Sequence, residues 1–226
     1  MTATMIRVLL DGTRSADARL MGSTQRLHAL IDAAFDHTIN AAGAPADAAE
    51  QARRRERRGT VLWRLELAGA GQARLLVVAG TAPDLDVFAE ALGVGRGQVA
   101  ARDYTRVLDH LAAGQRFTAR VRVNATVDER VPGKRGRRRN VTGEKVLTDW
   151  LPARLPTHGL TVVPGSGRVL AQGWESFDRK GTSESFPYTL VEVDVQVADP
   201  AAARTLLTEG IGRRRGHGCG LVTLTR

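Results

Sequence analysis

The chain has 226 residues, 42% hydrophobic and 25% charged, with 33 Lys and Arg against 24 Asp and Glu and a formal net charge of +9. That length builds one large domain or two small ones, and the charge excess favours a polyanionic partner through phosphate contacts and counterion release. One cysteine excludes an internal disulfide and a cysteine-based zinc site, and no apolar run is long enough to span a membrane, so the sequence predicts a cytoplasmic protein with no membrane partner.

The first apolar run, Ile6–Leu10, predicts a strand, and it breaks at Asp11, too early for a signal peptide. In STQRLHALIDAAF, Ser23–Phe35, the residues Leu27, Leu30, Ile31 and Ala34 recur at helical spacing behind Ser23 as N-cap. DAAEQARRRERR is highly charged and reads as a solvated segment, with Arg53–Arg58 facing away from any ligand. Two strand-like runs follow, Thr60–Ala68 and Ala73–Gly80, separated by Gly69-Ala70-Gly71. Pro83–Leu92 predicts a short helix with proline in its first turn, and QVAARDYTRVL, Gln98–Leu108, closes the unit as a strand. The order is β-α-β-β-α-β, the ferredoxin-like, RRM-like arrangement.

The second half repeats the order without repeating the sequence. Gln115–Val127 alternates, with Phe117, Ala119, Val121 and Val123 on one face and Thr118, Arg120, Arg122 and Asn124 on the other. This predicts one half-buried strand with a basic outer face. RVPGKRGRRRN reads as a basic loop before a helix from Thr142 to about Leu155, with Val146, Leu147, Trp150 and Leu151 on its buried face. The stretches 159–177 and 186–199 supply two more strands. DPAAARTLLTEG is a helix capped by Asp199 with Pro200 at its first position, and GLVTLTR is the last strand. The expected fold class is α+β: two tandem ferredoxin-like domains, 1–110 and 115–226, joined around Leu111–Gly114.

Between the last helix and strand lies GIGRRRGHGCG, Gly210–Gly220. Paired glycines around one apolar residue, Gly210-Ile211-Gly212 and Gly218-Cys219-Gly220, let the backbone turn sharply and approach a ligand while the apolar residue pins the loop. Backbone N–H groups and Arg213, Arg214 and Arg215 suit a phosphate chain. A solvated cationic loop is the simpler reading. No Lys-Ser/Thr follows as in a nucleotide P-loop, and the stretch stands after a helix, unlike a dinucleotide fingerprint. Other cations gather in RVPGKRGRRRN (Arg130, Lys134, Arg135, Arg137, Arg138, Arg139), beside Arg120 and Arg122, and in the FDRKG turn (Arg179, Lys180). With aromatics at 4%, a folded nucleic-acid stem read by arginines fits better than stacked single-strand bases.

Proton transfer near neutral pH calls for histidine, and five compete: His28, His37, His110, His158 and His217. His28 lies at the edge of its helix's apolar arc, with Asp32 one turn on to orient it. His217 lies inside the cationic loop. The residues alone leave the choice open, and an ordinary surface histidine accounts for either.

Glycine–hydrophobic–glycine, five residues with basic ones among them, then glycine–hydrophobic–glycine resembles the signature loop of the CRISPR repeat-cleaving endoribonucleases. LHALIDAAF, VLWRLE, RVRVNATV and GEKVLTDWLPARL, in that order along the chain, resemble segments of the CasE type, the RNA-processing subunit of type I-E Cascade. The resemblance implies binding of a CRISPR repeat RNA stem-loop and metal-independent cleavage at its 3′ base, leaving a 2′,3′-cyclic phosphate and a 5′-hydroxyl. It implies retention of the mature crRNA, other Cascade subunits as partners and no cofactor.

The family's catalytic histidine matches His28. Three residues earlier, where the family commonly has a tyrosine, stands Gln25, which can hydrogen-bond a phosphate or 2′-hydroxyl but cannot carry a proton. The catalytic candidates are therefore His28 and Gln25. The RNA-binding candidates are Arg26, Arg120, Arg122, Lys134, Arg135, Arg137, Arg138, Arg139, Arg179 and Lys180, with Gly210, Gly212, Arg213, Arg214, Arg215, His217, Gly218 and Gly220 of the loop. His217 is expected to contact RNA without catalysing. The competing readings are a non-catalytic RNA-binding subunit of the same complex and an interaction protein whose basic loops are incidental.

Overall fold

A computed structural model of the chain describes residues 3–40, 47–49, 59–69, 71–129, 136–179 and 181–226. Arg53–Arg58, Arg130, Lys134, Arg135 and Lys180 lie outside the described residues. The chain forms two ferredoxin-like units: Met1–Asp109 with Gly216–Gly218, and His110–Arg215 with Cys219–Arg226.

In the first unit, β1 (Thr4–Asp11) buries Ile6, Val8 and Leu10, the alternate residues of its apolar run. A short helix, α1 (Ser15–Met21), precedes α2 (Thr24–Asn40). Nothing periodic announces α1; it is held instead by buried Asp17, whose carboxylate accepts the Asp11 N–H at 2.9 Å and Gln98 Nε2 at 2.9 Å. Ser23 caps α2 as the sequence predicts, its Oγ accepting the Arg26 N–H at 3.2 Å. Leu27, Ile31, Ala34 and Phe35 then face the core.

The strands β2 (Leu62–Gly69) and β3 (Gln72–Ala79) form a hairpin, followed by α3 (Leu85–Leu92) and β4 (Val99–Asp103). The order is β2-β3-β1-β4 with every neighbour antiparallel, the ferredoxin-like sheet. Two boundaries differ from expectation. Asp84 is the cap of α3, accepting the Asp86 and Val87 N–H groups, so Pro83 stands just before the helix. Gln98–Leu108 is not one strand: it turns after Asp103 into α4 (Thr105–Asp109), because Asp103 Oδ1 accepts the Thr105 N–H at 2.9 Å.

In the second unit the strands Val222–Thr225, Arg116–Val123, Thr182–Val197 and Leu160–Val162 stand side by side in that order, the same pattern. The expected strand over Gln115–Val127 divides at buried Asn124. Its first part, β5 (Arg116–Val123), joins the sheet, while β6 (Ala125–Glu129) pairs with β7 (Arg137–Val141) as a separate ribbon. Arg137, Arg138 and Arg139, expected in a loop, are therefore strand residues.

The helical segment after β7 runs through a π turn at Val146–Trp150, α5 (Leu151–Arg154) and a 3₁₀ turn at Leu155–His158. It buries Val146, Trp150, Leu151 and Leu155. The edge beyond β10 (Thr182–Val197) is filled first by β8 (Leu160–Val162) and then by β9 (Arg168–Arg179). Because β5 stops at Thr189 of β10, residues 182–188 continue with β9 as a two-stranded arm. Asp199 caps α6 (Pro200–Glu209), and β11 (Val222–Thr225) closes the sheet.

Candidate active site

Burial of Leu27 and Ile31 on one side of α2 leaves His28 and Asp32 on its border, their side chains 38% and 35% exposed. Asp32 Oδ2 stands 3.6 Å from His28 Nδ1. This is beyond hydrogen-bond length but close enough to orient the ring, with Nδ1 toward the carboxylate and Nε2 away from it. Gln25 and Arg26, one turn earlier, are exposed.

Residues 216–218 of the glycine-rich loop lie on the same unit. The His217 ring is 5.6 Å from that of His28, centre to centre, and inclined at 51°. A Cβ at Gly216 would stand 3.1 Å from His28 Cε1 and 3.2 Å from Nε2, so the absent side chain is what lets the loop cross the imidazole edge. Gly218, at φ 74°, packs on buried Trp63, where a Cβ would come within 2.7 Å of the indole. Asp32 was legible as an i,i+4 partner; Gly216 and Trp63 were not, because only the folded chain brings 28, 63 and 216 together.

In the second unit the rest of the loop is a fixed structure. Ile211 and Cys219 are buried, as their place between glycines predicts, and the Ile211 N–H donates to the Gly220 carbonyl at 3.0 Å. The Gly220 N–H donates to the Arg122 carbonyl at 2.7 Å, and Arg213 bridges Asn124. Gly210, Gly212 and Gly220 all have positive φ, which this closure requires. Burial pushes the Cys219 thiol up to about 12, so it serves as an apolar anchor.

The three arginines have different fates. Arg213 is exposed; Arg214 reaches Glu184 at 3.3 Å and lies over Phe177 and Phe186; Arg215 donates to the Glu209 carbonyl at the end of α6.

The expected basic outer face of β5 is corrected. Arg122 is only 6% exposed: its guanidinium lies 3.7 Å over the Tyr188 ring and donates to Glu175 at 2.5 Å. Arg120 and Arg168 both grip Glu192, whose carboxyl is held below the usual carboxylate range chiefly by the Arg168 hydrogen bond, with Arg120 adding to it. The alternation places these arginines correctly, but β9 and β10 supply a carboxylate opposite each one. On the β6–β7 ribbon Arg138 pairs with Asp128 and Arg139 with Glu129, both exposed, while Arg137 is exposed beside them. Exposed pairs of this kind are weak and exchange readily for a phosphate. Arg179 closes β9. Among the described residues no group of three or more His, Cys, Asp or Glu side chains gathers as a metal site, and no helix is long and apolar enough to cross a membrane.

Two ferredoxin-like units, one carrying His28 against residues 216–218 of the glycine-rich loop and the other carrying that loop's arginines, define a tandem ferredoxin-like protein. The chain belongs to the family described as CRISPR associated protein, whose model matches residues 5–226. Among solved structures it is similar to Thermus thermophilus Cse3 bound to an RNA representing a pre-cleavage complex, at 22% identity over 100% of both chains with a TM-score of 0.74. It is similar also to Cas6e from Escherichia coli str. K-12, at 17% identity over 98% of both chains with a TM-score of 0.61. A chain of a CRISPR RNA-guided surveillance complex matches at 18% identity over 98% of both chains with a TM-score of 0.55. At these identities the likeness is one of fold. No curated protein matches the chain by sequence.

Proposed function

We propose that the chain is a CasE-type endoribonuclease that binds the repeat stem-loop of precursor crRNA and cuts at its 3′ base, in the cytoplasm and without a metal ion. The observation that carries the reading is the meeting of His28, oriented by Asp32, with residues 216–218 of the loop that resembles the family's signature. The relatives support it: Cse3 has been seen with RNA, and a chain of this fold sits in an RNA-guided surveillance complex. In this reading the 2′-oxygen attacks phosphorus, the 5′-oxygen leaves, and His28 Nε2 carries a proton of the exchange, leaving a 2′,3′-cyclic phosphate and a 5′-hydroxyl. Arg26 and the backbone N–H groups of residues 216–218 meet the developing phosphorane charge, and Arg213 binds RNA phosphate. Gln25 holds a phosphate or 2′-hydroxyl by hydrogen bonds. Arg137, Arg138 and Arg139 grip the stem; Arg120 and Arg122 are left out because carboxylates already hold them. The mature crRNA stays bound, and other Cascade subunits assemble on it.

The test is incubation of the protein with the repeat RNA of its own locus in EDTA. Cleavage that is lost with a 2′-deoxy nucleotide at the scissile position, and lost in His28→Ala with binding retained, is the expected result. Binding without cleavage by the wild type would establish the non-catalytic RNA-binding subunit instead.

A further inference from the structure

We propose that His217 is a second proton carrier, so that the reaction runs between two imidazoles, His28 and His217. The inference rests on the endoribonuclease reading and deepens it. Cleavage by 2′-oxygen attack needs two simultaneous proton movements on opposite sides of one phosphorus: a base takes the 2′-hydroxyl proton while an acid supplies one to the departing 5′-oxygen. One histidine can do only one of these in a single step. Gln25, one turn before His28, has no proton to lose near neutral pH, so the second carrier has to come from elsewhere.

The loop brings one. The two rings lie 5.6 Å apart at 51°, neither stacked nor edge-bonded, and each can reach a different oxygen of one phosphodiester across a hydrogen bond of ~2.8 Å. His217 Nδ1 is buried, so in this proposal Nε2 is the nitrogen assigned to the RNA. Gly216 before it passes close to the His28 Cε1 and Nε2 edge, and Gly218 after it lies close against Trp63, so the backbone on both sides of His217 is placed. Arg213 and Arg215 could grip phosphate from outside the reaction; His217 is the one titratable side chain of the loop that stands beside His28.

The step balances without a further reactant. The 2′-O–H bond breaks and its proton passes to one neutral imidazole. The 2′-O–P bond forms, the P–O5′ bond breaks with its electron pair on oxygen, and that oxygen takes a proton from the other imidazolium. The two rings finish with exchanged protonation.

The experiment measures single-turnover cleavage of repeat RNA at saturating enzyme, with affinity measured separately, for wild type, His28→Ala, His217→Ala and His217→Gln. Both His217 variants are expected to lose ~100-fold or more in rate, within the range for removal of a general acid or base, while affinity changes by no more than ~3-fold. A second substrate carries sulfur in place of the 5′-oxygen of the scissile bond, a leaving group that needs no proton. It is expected to restore one of His28→Ala and His217→Ala and to leave the other slow. Weakened affinity with an unchanged rate at saturation overturns the proposal and makes His217 a contact residue. Rescue of both variants or of neither overturns it as well. Retained RNA affinity in each variant shows that it is folded. Absence of cleavage by the wild type sinks the endoribonuclease reading itself, whereas wild-type cleavage with undiminished His217 variants sinks only this inference.

Discussion

Gly216→Ala tests the site by crowding it without removing any reacting group. The new Cβ would stand 3.1 Å from His28 Cε1 and 3.2 Å from Nε2, against ordinary carbon contacts of about 3.5–4.0 Å. The imidazole must therefore yield by about 0.3–0.9 Å, most easily by turning on α2, and a ~30° departure from its rotamer costs about 0.5–1.5 kcal/mol. His28 is half exposed, so folding stability should fall by no more than that. The reaction is less forgiving: a misplacement of ~1 Å costs ~100-fold when attack geometry must be met within a few tenths of an ångström. Single-turnover cleavage is expected to drop ~10- to 100-fold, with repeat-RNA affinity and thermal midpoint close to wild type. Cleavage within ~2-fold of wild type would refute the argument that the loop's bare backbone keeps this imidazole edge open.

Other substitutions separate binding from architecture. Arg213→Ala should lower RNA affinity and reduce the slope of log K against log salt by about 1, with unchanged denaturation. Arg122→Met should leave that slope unchanged but destabilise by about 2–3 kcal/mol, less than a fully buried pair because Glu175 is 23% exposed. The Glu192 carboxyl is depressed, so its pairs contribute above the unfolded-state value of about 4.3 and lose that contribution as pH falls through the lower folded value. The stability gap between wild type and Glu192→Gln should accordingly be full at neutral pH and close in acid; a gap independent of pH would contradict this. Cys219, buried and pushed up to about 12, should resist iodoacetamide in the native protein at pH 8 and react after denaturation. Stoichiometric labelling of the folded chain would contradict its role as an anchor.

Much of the fold was legible because its periods are local. Ile6, Val8 and Leu10 alternate, Leu27, Ile31 and Ala34 recur by turns, and Ser23 and Asp199 cap their helices through hydrogen bonds within three residues. What failed was decided at longer range. The Gln115–Val127 pattern continues unbroken through Asn124, yet the strand divides there, because Asn124 Nδ2 donates to the Pro187 carbonyl and β6 finds a partner in β7. A run of arginines at 137–139 has no apolar signal, and it becomes a strand through its ladder with β6, where Asp128 and Glu129 pair with its side chains.

The same division runs through the site. From the sequence alone came two ferredoxin-like repeats, the anchoring of the glycine-rich loop by Ile211 and Cys219, and the pairing of His28 with Asp32. All of these depend on local residue spacing or on the order of elements along the chain. Which arginines are held by carboxylates of the protein itself was decided by tertiary structure, since Glu175 and Glu192 lie 53 and 72 residues from the β5 arginines they hold. So was the meeting of His217 with His28, for the loop must fold back on α2 before two imidazoles nearly two hundred positions apart share one place.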